Sequence, residues 1–274
     1  GDPVRVSGHV VYRAVVDAAD FPADLRWNAP VVWAGPDCHL VHYPLRGSGQ
    51  YNVVVTFHSR EREQWKRHSK RTIDFAAQVK ATKVVMHLGA VEFFWFNPSG
   101  KVDNYVDAHP DADLTQDAGY QKLLAKSVGK LRDRMPRYWE NTKRGLLELL
   151  PYAAQKGVKL GFENREKFDE LPLDADHPDL IAAMAKPEAC GYWHDTGHAH
   201  IKEMMTLLKH REHLEKNAPN AIGFHLHDVS AEGRDHQAIG SGKIDFEMVS
   251  SFWRPEHTLV IDDLMPGRHR VQLV

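Results

Sequence analysis

The spacing of apolar and polar positions changes along the chain near residue 66. Residues 1–60 contain short runs rich in Val, Tyr and Trp, separated by turn-forming sequences such as AGPD and RGSGQ. Connections this short favour antiparallel pairing of neighbouring strands. The pattern predicts strands over Val4–Val16, Pro30–Trp33, His39–Tyr43 and Tyr51–Phe57.

Beyond Thr72, stretches with helical spacing alternate with short apolar runs typical of buried strands. This alternation predicts a parallel sheet with crossover helices, although the strands are fewer than a complete (β/α) barrel contains. The predicted strands are Lys83–His87, Val158–Phe162, Gly191–His194, Ala221–Leu226 and Thr258–Ile261. The predicted helices are Ile73–Val79 (the end of a helix), Gln116–Arg134, Tyr138–Lys156, Pro178–Lys186, Ala199–Lys216 and Phe246–Phe252.

Three connecting features carry further expectations. The charged stretch Ser59–Arg71 is expected to be a linker or a solvated helix start, with a phosphate-binding patch as the alternative. Pro136 is expected to separate two helices, and Gly157 to cap the second of them. Glu92–Asp113 is predicted to be a long loop, and its aromatic cluster (residues 93–96) either covers a site or packs on the next helix.

Composition narrows the class of protein. The chain has 274 residues and a formal net charge of −2, so nothing draws it as a whole to nucleic acid or to anionic membranes. No apolar run approaches the roughly 18 residues of a membrane span. Two cysteines are too few for a disulfide framework and suit a reducing compartment. These features predict a soluble, cytoplasmic protein without a membrane partner.

Most of the predicted strands end in residues that bind metal ions. The segments are KVVMHLG, KLGFENRE, GYWHDTGHAH, GFHLHDV and LVIDD, and eight of the chain's 18 histidines lie between His194 and His236. Parallel α/β sheets and barrels build their sites at the carboxyl ends of strands. The pattern therefore predicts a metal site at that edge.

These motifs carry a resemblance to a known family. Roughly residues 70–263 resemble the later part of the xylose isomerase-like TIM barrel superfamily, which includes sugar isomerases, epimerases and endonuclease IV. The matching segments are HLG, GFEN, HDTGHAH, FHLHD, HQAIGSGKIDF and LVIDD, of which DTGHAH is the most specific. The resemblance implies an α/β, TIM-barrel-like fold, with residues 67–274 as its barrel portion.

Residues 1–65 resemble a different family. GHVVYRAVV, VVWAGPDCHLVHYPLRG and YNVVVTF are similar to part of the substrate-binding β sheet of flavin-dependent aromatic hydroxylases. No GxGxxG follows a strand, so FAD is not expected. The chain is thus interpreted as a hybrid in which a β-rich segment, residues 1–66, stands in place of the first barrel strands. The barrel is then either partial or completed by this antiparallel segment.

The superfamily resemblance also implies a site. Its members hold a divalent metal at the positions of Glu163, Asp195, His225 and Asp262, and two acidic residues, here Glu163 and Asp262, move a proton beside a carbonyl. This carboxylate-rich set suits Mn²⁺, Mg²⁺ or Co²⁺, with Zn²⁺ as the alternative. With three more histidines, the set resembles the multi-zinc arrangement of endonuclease IV-like proteins. Those histidines are His198, His87 and His236.

Each position has a simpler interpretation. Glu163 and Asp195 could cap helices or pair with Arg165, and His227 competes with His225 because alternate residues of a strand share a face. His198 could bond backbone at a helix start. His194 and His200 fit packing or surface roles, and Asp228 fits helix capping or the orientation of a histidine.

Two departures from the superfamily pattern bear on activity. Asp262 is one methylene shorter than the Glu usual at the last strand, and Arg234 stands where a zinc-binding Asp is expected before His236. A complete three-zinc centre is therefore not expected.

The sequence supports three hypotheses about function. The first is a metal-dependent sugar or hydroxy-keto isomerase or epimerase that acts through an enediolate on a small sugar-like molecule. The second is an endonuclease IV-like phosphodiesterase, which the near-neutral charge disfavours. The third is an inactive hybrid that keeps the fold and the metal site. A homo-oligomer is compatible with all three.

Overall fold

The computed structural model describes residues 9–29, 31–35, 38–45, 49–58, 62–93 and 97–262, which divide between two compact units. The first unit takes the described residues up to 92 together with 134–162 and 179–191. The second takes 93–133, 163–178 and those from 192 onward.

The first unit is built on strands that pair in both senses. Four antiparallel strands follow the order β2-β3-β4-β1, and β1 also pairs antiparallel with β5, which pairs parallel with β6. The antiparallel segment predicted from the sequence is thus confirmed, although residues 4–8 of its first predicted strand lie outside the described residues. The strands are β1 (His9–Asp17), β2 (Val31–Gly35), β3 (Cys38–Leu45), β4 (Gln50–His58), β5 (Lys83–Met86) and β6 (Lys159–Glu163).

Helix α1 (Arg62–Gln78) forms most of the charged stretch that was predicted to be a linker or a helix start. Its apolar positions Trp65, Ile73 and Ala76 are buried, so one face packs although the helix is strongly polar on average. Helix α4 (His177–Met184) lies in the same unit from Asp179 onward.

Helix α3 (Ala118–Gln155) corrects the prediction of two helices broken at Pro136. Pro136 and Pro151 both lie inside it, on its exposed side. A proline leaves the carbonyl four residues earlier without its helical donor, and exposed carbonyls can turn to water instead. Because Leu131, Leu146, Leu149 and Leu150 bury the opposite face, packing keeps the helix continuous.

Helix α2 (Pro98–Ala108) corrects the prediction of a long loop over residues 92–113. Asn97 caps this helix by accepting the Gly100 backbone N–H, and Pro98 occupies a first-turn position. Three of the four aromatic residues of the proposed cover, residues 94–96, lie outside the described residues.

The second unit contains the carboxyl-terminal parallel strands. They are β7 (Cys190–Asp195, in this unit from Tyr192), β8 (Ala221–Leu226) and β9 (Thr258–Ile261), paired in that order. Helices α5 (Thr196–Met204), α6 (His210–Asn217) and α7 (Phe246–Ser250) connect or follow them. The single helix predicted over residues 199–216 is therefore two helices. Parallel strands alternating with helices confirm the α/β class.

Among the described residues, no helix combines the length and the apolar content needed to cross a bilayer.

A buried ion pair in the second unit gives a test of its packing. The Lys202 ammonium is 2 % exposed and donates to both Asp174 carboxylate oxygens at 2.7 and 2.9 Å. Asp174→Asn leaves the lysine charge buried without its counter-charge, and we expect it to cost about 3 kcal/mol in urea unfolding. The control is Asp176→Asn, whose more exposed partner Arg132 predicts a loss of at most about 1 kcal/mol. Equal losses in both variants would contradict this assignment.

Candidate metal centre

Four predicted ligands lie at the carboxyl ends of strands and are buried in the second unit. Glu163 ends β6, Asp195 ends β7, His225 is the last residue but one of β8, and Asp262 follows β9, and each is at most 2 % exposed. His225 Nδ1 lies 2.5 Å from Glu163 Oε1 and 3.7 Å from Asp195 Oδ2. Potential ligand atoms of Asp195, His225 and Asp262 all lie within 4.8 Å of one another. The structure therefore brings these four residues together.

Asp195 is held both through its backbone and through its side chain. Asn164 donates to the Asp195 carbonyl and accepts its N–H, at 3.0 and 2.7 Å. Oδ1 of Asp195 caps α5 by accepting the His198 N–H at 2.9 Å. Burial alone would raise the pKa of the Asp195 carboxyl, but His198, His227 and His225 hold that pKa well below its usual value. The carboxylate is therefore ionised and ready to bind a cation.

His227 positions Asp195. The backbone N–H of His236 donates to His227 Nδ1 at 2.9 Å. The proton of the His227 ring is therefore on Nε2, which donates to Asp195 Oδ1 at 2.9 Å. Burial lowers the pKa of His227, but the Asp195 carboxylate more than compensates and raises it. Of the two alternatives on β8, His225 faces Glu163 and His227 supports the carboxylate from the side.

The three additional histidines that were predicted as ligands lie in different surroundings. His198 lies within a possible ligand group with Glu163 and Asp195, and burial chiefly lowers its pKa to about 4. Its Nδ1 also lies 2.9 Å from the Asn164 carbonyl, the backbone bond of the simpler interpretation. His236 Nε2 lies 3.6 Å from Asp262 Oδ2, while His87 follows β5 in the first unit.

Two further carboxylates near His198 were not predicted. Glu166 and Asp235 form a second possible ligand group with His198. Asp235 also pairs with His236 Nδ1 at 2.8 Å. The sequence contains both carboxylates, in GFENRE and RDH, and Asp235 lies directly before His236, one residue closer than the position of the expected zinc-binding Asp.

Glu163 also makes the ion pair that its simpler interpretation required. Arg165 donates to Glu163 Oε2 at 2.6 Å and to Glu170 Oε1 at 3.1 Å. Burial opposes the charge of Arg165, but these carboxylates raise its pKa above the ordinary value. The fixed guanidinium thus favours the ionised form of Glu163, and the ion pair is compatible with a ligand role.

Asp228 organises the loop after β8. Its carboxylate accepts the N–H groups of Val229, Gly240, Gly242 and Ile244 at 2.8–3.3 Å. Asp228 therefore stabilises the turns of this loop, which replaces the predicted role of helix cap or histidine support. The loop carries Asp235 and His236, so Asp228 acts on the site through the backbone.

The donor set fits a divalent cation. Three buried carboxylates and one imidazole are hard, mostly oxygen donors, as Mn²⁺, Mg²⁺ and Co²⁺ prefer, and His198 adds a nitrogen that suits Zn²⁺. Nε2 of His225 is buried and makes no hydrogen bond to any described residue. A divalent cation bound here would stabilise these three buried carboxylates.

A second buried polar cluster lies beside this site. The Tyr192 hydroxyl is 3.1 Å from Asn164 Oδ1, 2.8 Å from His194 Nδ1 and 2.7 Å from His213 Nε2. His194 Nε2 in turn lies 2.9 Å from His210 Nε2. We call these five residues the Tyr192 cluster. His194 was expected to have a packing or surface role. The other members, which lie on β7, on α6 and directly after β6, were not predicted.

The imidazoles of the cluster are neutral. Burial chiefly lowers the pKa of His210 to about 3 and of His213 to about 4, and that of His194 far below its ordinary value. His177, which stands edge-on to the Tyr192 ring at 5.0 Å, has its pKa lowered to about 3.

Comparison with known proteins gives two distinct matches. The profile of the xylose isomerase-like TIM barrel family matches residues 40–252. Among solved structures, an L-ribulose 3-epimerase shares 14 % identity with a TM-score of 0.50, covering 74 % of this chain and 55 % of that one. A D-allulose 3-epimerase from Methylomonas sp. shares 10 % identity with a TM-score of 0.51, covering 74 % and 57 %. These likenesses confirm the predicted fold.

The second match is to hydroxylases. A 65-residue segment is 78 % identical to the 3-hydroxybenzoate 6-hydroxylase of Klebsiella oxytoca, covering 24 % of this chain and 16 % of that protein. The enzyme of the same name from Polaromonas naphthalenivorans (strain CJ2) is 74 % identical over 65 residues, with the same coverage. The predicted double resemblance is confirmed. The chain spans less than two thirds of the length of each of these relatives and solved structures.

Gly197 tests how tightly the site is packed. A Cβ at this position would lie 2.0 Å from His227 Cε1, so we expect Gly197→Ala to displace His227 and cost about 1–3 kcal/mol in urea unfolding. In the control Gly129→Ala, inside α3, a Cβ meets nothing within 4 Å, and we expect a gain of about 0.5–1 kcal/mol. A neutral Gly197→Ala would contradict the placement of His227.

The neutral histidines predict a loss of stability in acid. Unfolded histidines take up protons below pH 6.5, whereas these buried ones do so only near 3 to 4. Between those values the unfolded state binds more protons, so stability falls as pH falls, by on the order of 1.4 kcal/mol per pH unit for each histidine. Neither ring nitrogen of His177 has a hydrogen-bond partner among the described residues. His177→Phe should therefore flatten the urea-midpoint profile between pH 7 and pH 5, and the exposed His109→Gln should leave it unchanged.

Proposed function

The chain belongs to the xylose isomerase-like TIM barrel family, and we propose that it is a divalent-metal-dependent isomerase or epimerase of a small sugar or hydroxy-keto compound. The observation that carries the proposal is the convergence of Glu163, Asp195, His225 and Asp262 in one buried cluster. The names of the two solved structures, both ketose 3-epimerases, support the substrate class.

The residues have separate tasks in this proposal. Glu163, Asp195, His225 and Asp262 would hold the ion, which when bound would supply a Lewis acid for the substrate carbonyl. Glu163 accepts the proton from the carbon beside that carbonyl, and Asp262 exchanges a proton on the other side. Burial of both carboxylates excludes the water that would compete for these protons.

Three neighbours prepare these groups for the reaction. Arg165 holds the Glu163 carboxylate in place, since its guanidinium donates to Oε2 and leaves Oε1 to face the site. Asn164 and His227 fix Asp195 from its backbone and its carboxylate. A site assembled in advance needs little reorganisation when the substrate binds.

A metal-dependent phosphodiesterase is the second candidate, and one observation favours it. Two possible ligand groups, Glu163 with Asp195 and Glu166 with Asp235, lie on either side of His198, so carboxylates for a second ion are close to the first group, as two-metal phosphoester chemistry requires. The net charge of −2 offers no general attraction to nucleic acid, and we therefore rank this candidate second.

The absence of FAD, the cytoplasmic location and the oligomeric state stay predictions.

Glu163→Gln tests the proposed reaction. The amide keeps an oxygen that can bind an ion but cannot accept a proton, so we expect solvent-deuterium incorporation into substrate to be abolished while metal binding weakens only in part. The assay uses a panel of ketoses and hydroxypyruvate with Mn²⁺ or Co²⁺. Glu215→Gln, the same change at an exposed position of α6, is the control.

Two outcomes would contradict the proposal. Exchange that persists unchanged in Glu163→Gln removes Glu163 from the mechanism. No exchange by the parent chain with any substrate, alongside normal metal binding, favours the inactive hybrid.

A further inference from the structure

A second group of possible ligands lies away from the site described above. His200 and Glu203 stand one turn apart on α5, and His210 begins α6. One potential ligand atom from each lies within 4.8 Å of the others. His200 Nδ1 is 3.6 Å from Glu203 Oε2, while Glu203 Oε1 accepts the His210 backbone N–H at 2.9 Å. The Glu203 side chain is 41 % exposed, so an ion can reach the group from solvent.

The Tyr192 cluster determines which nitrogen of His210 is available. The backbone N–H of Asp195 can only donate, so the Asn164 atom that receives it is the amide oxygen, which can only accept. The Tyr192 hydroxyl must therefore give its single proton to Asn164 Oδ1. Its oxygen then accepts from both remaining neighbours, so His194 Nδ1 and His213 Nε2 each carry a proton. Asn217 Nδ2 lies 3.4 Å from His213 Nδ1, which agrees with an accepting nitrogen there.

The same logic extends to His210. His194 Nε2 and His210 Nε2 lie 2.9 Å apart, so one of them donates a proton and the other accepts it. Because the proton of His194 is on Nδ1, its Nε2 accepts and His210 Nε2 donates. His210 is then protonated on Nε2 and bare on Nδ1. An imidazole whose far N–H is held by a buried partner is oriented and deprotonated on the side that binds metal.

We propose that His200, Glu203 and His210 form a second divalent-metal site, suited to Zn²⁺. Two imidazoles and one carboxylate are a common protein donor set for zinc, with water completing the coordination. This site does not depend on the proposed reaction, because none of its residues is among the ligands or proton-transfer groups assigned to it. Its ion would join α5 to the first turn of α6, where Glu203 already bonds the His210 backbone.

The experiment measures Zn²⁺ binding to the full chain by calorimetry and equilibrium dialysis. Glu163→Gln/Asp262→Asn weakens the first site, and we expect one equivalent of Zn²⁺ to remain bound. His200→Asn/Glu203→Gln should lose one equivalent or weaken its binding at least tenfold, while the amide introduced by Glu203→Gln still has an oxygen to accept the His210 N–H. Glu212→Gln, an exposed position of α6, is the control and should bind as the parent does.

Two further measurements test the site if the double variant does not fold. His200→Asn alone should weaken binding of the same equivalent, and histidine ¹⁵N NMR of the zinc-free chain should show His210 protonated on Nε2. Zn²⁺ binding that is identical in the parent and in the His200 and Glu203 variants would overturn the site. So would an NMR spectrum that shows His210 protonated on Nδ1.

Discussion

The burial of the Asp195 carboxylate is the constraint on which the site in the second unit depends. A carboxylate that is 1 % exposed stays ionised only if donors or cations replace the water it has lost. Those donors come from different elements: the His198 backbone N–H in the first turn of α5, and the Nε2 nitrogen of His227, the residue that follows β8. The pairing of β7 with β8 places Asp195 opposite His225. The register of these two strands therefore fixes the distance between the two candidate ligands.

Asn164 connects this site to the Tyr192 cluster. One carbonyl oxygen accepts from both the Asp195 backbone and the Tyr192 hydroxyl, so neither contact can change without affecting the other. Buried polar networks are stable when every member is satisfied and costly when one is not. Asp195 at the end of β7 is therefore positioned in part by His213 on α6, through Tyr192 and Asn164. A change in α6 can therefore reach Asp195 through these hydrogen bonds.

The first unit shows how a foreign β segment can be accommodated. β5 is a short parallel strand that pairs with β6 on one side. β1 pairs with its other side through Tyr12 and Arg13, opposite Met86 and Val85. An uncovered strand edge is prone to pair with other chains, and an antiparallel neighbour supplies its missing hydrogen bonds as well as a parallel one does. The hydroxylase-like segment thus meets a backbone requirement of the barrel portion without copying its topology.

Local sequence by itself determined the class of fold and the first ligands. Apolar runs ending in Glu163, Asp195 and His225 predicted strands correctly because buried parallel strands are short and apolar, and their ends share one edge. The family motifs pointed to the same residues. A local signal was misleading where packing overrode it: α3 continues through Pro136 because its opposite face is buried. Another was overlooked: Asn97 followed by Pro98 starts a helix in a segment predicted to be a loop.

Only the tertiary structure decided the partners of each side chain. These contacts join residues that are far apart in the chain. His227 supports Asp195 while His225 faces Glu163. Asp235 lies near His198, and Tyr192 contacts two histidines. Sequence spacing tells which face of a strand a residue occupies, but hydrogen bonds and charges act over a few ångströms. The nitrogen that carries the proton follows from those contacts, and it separates a buried histidine that could bind a metal ion from one that only positions a carboxylate.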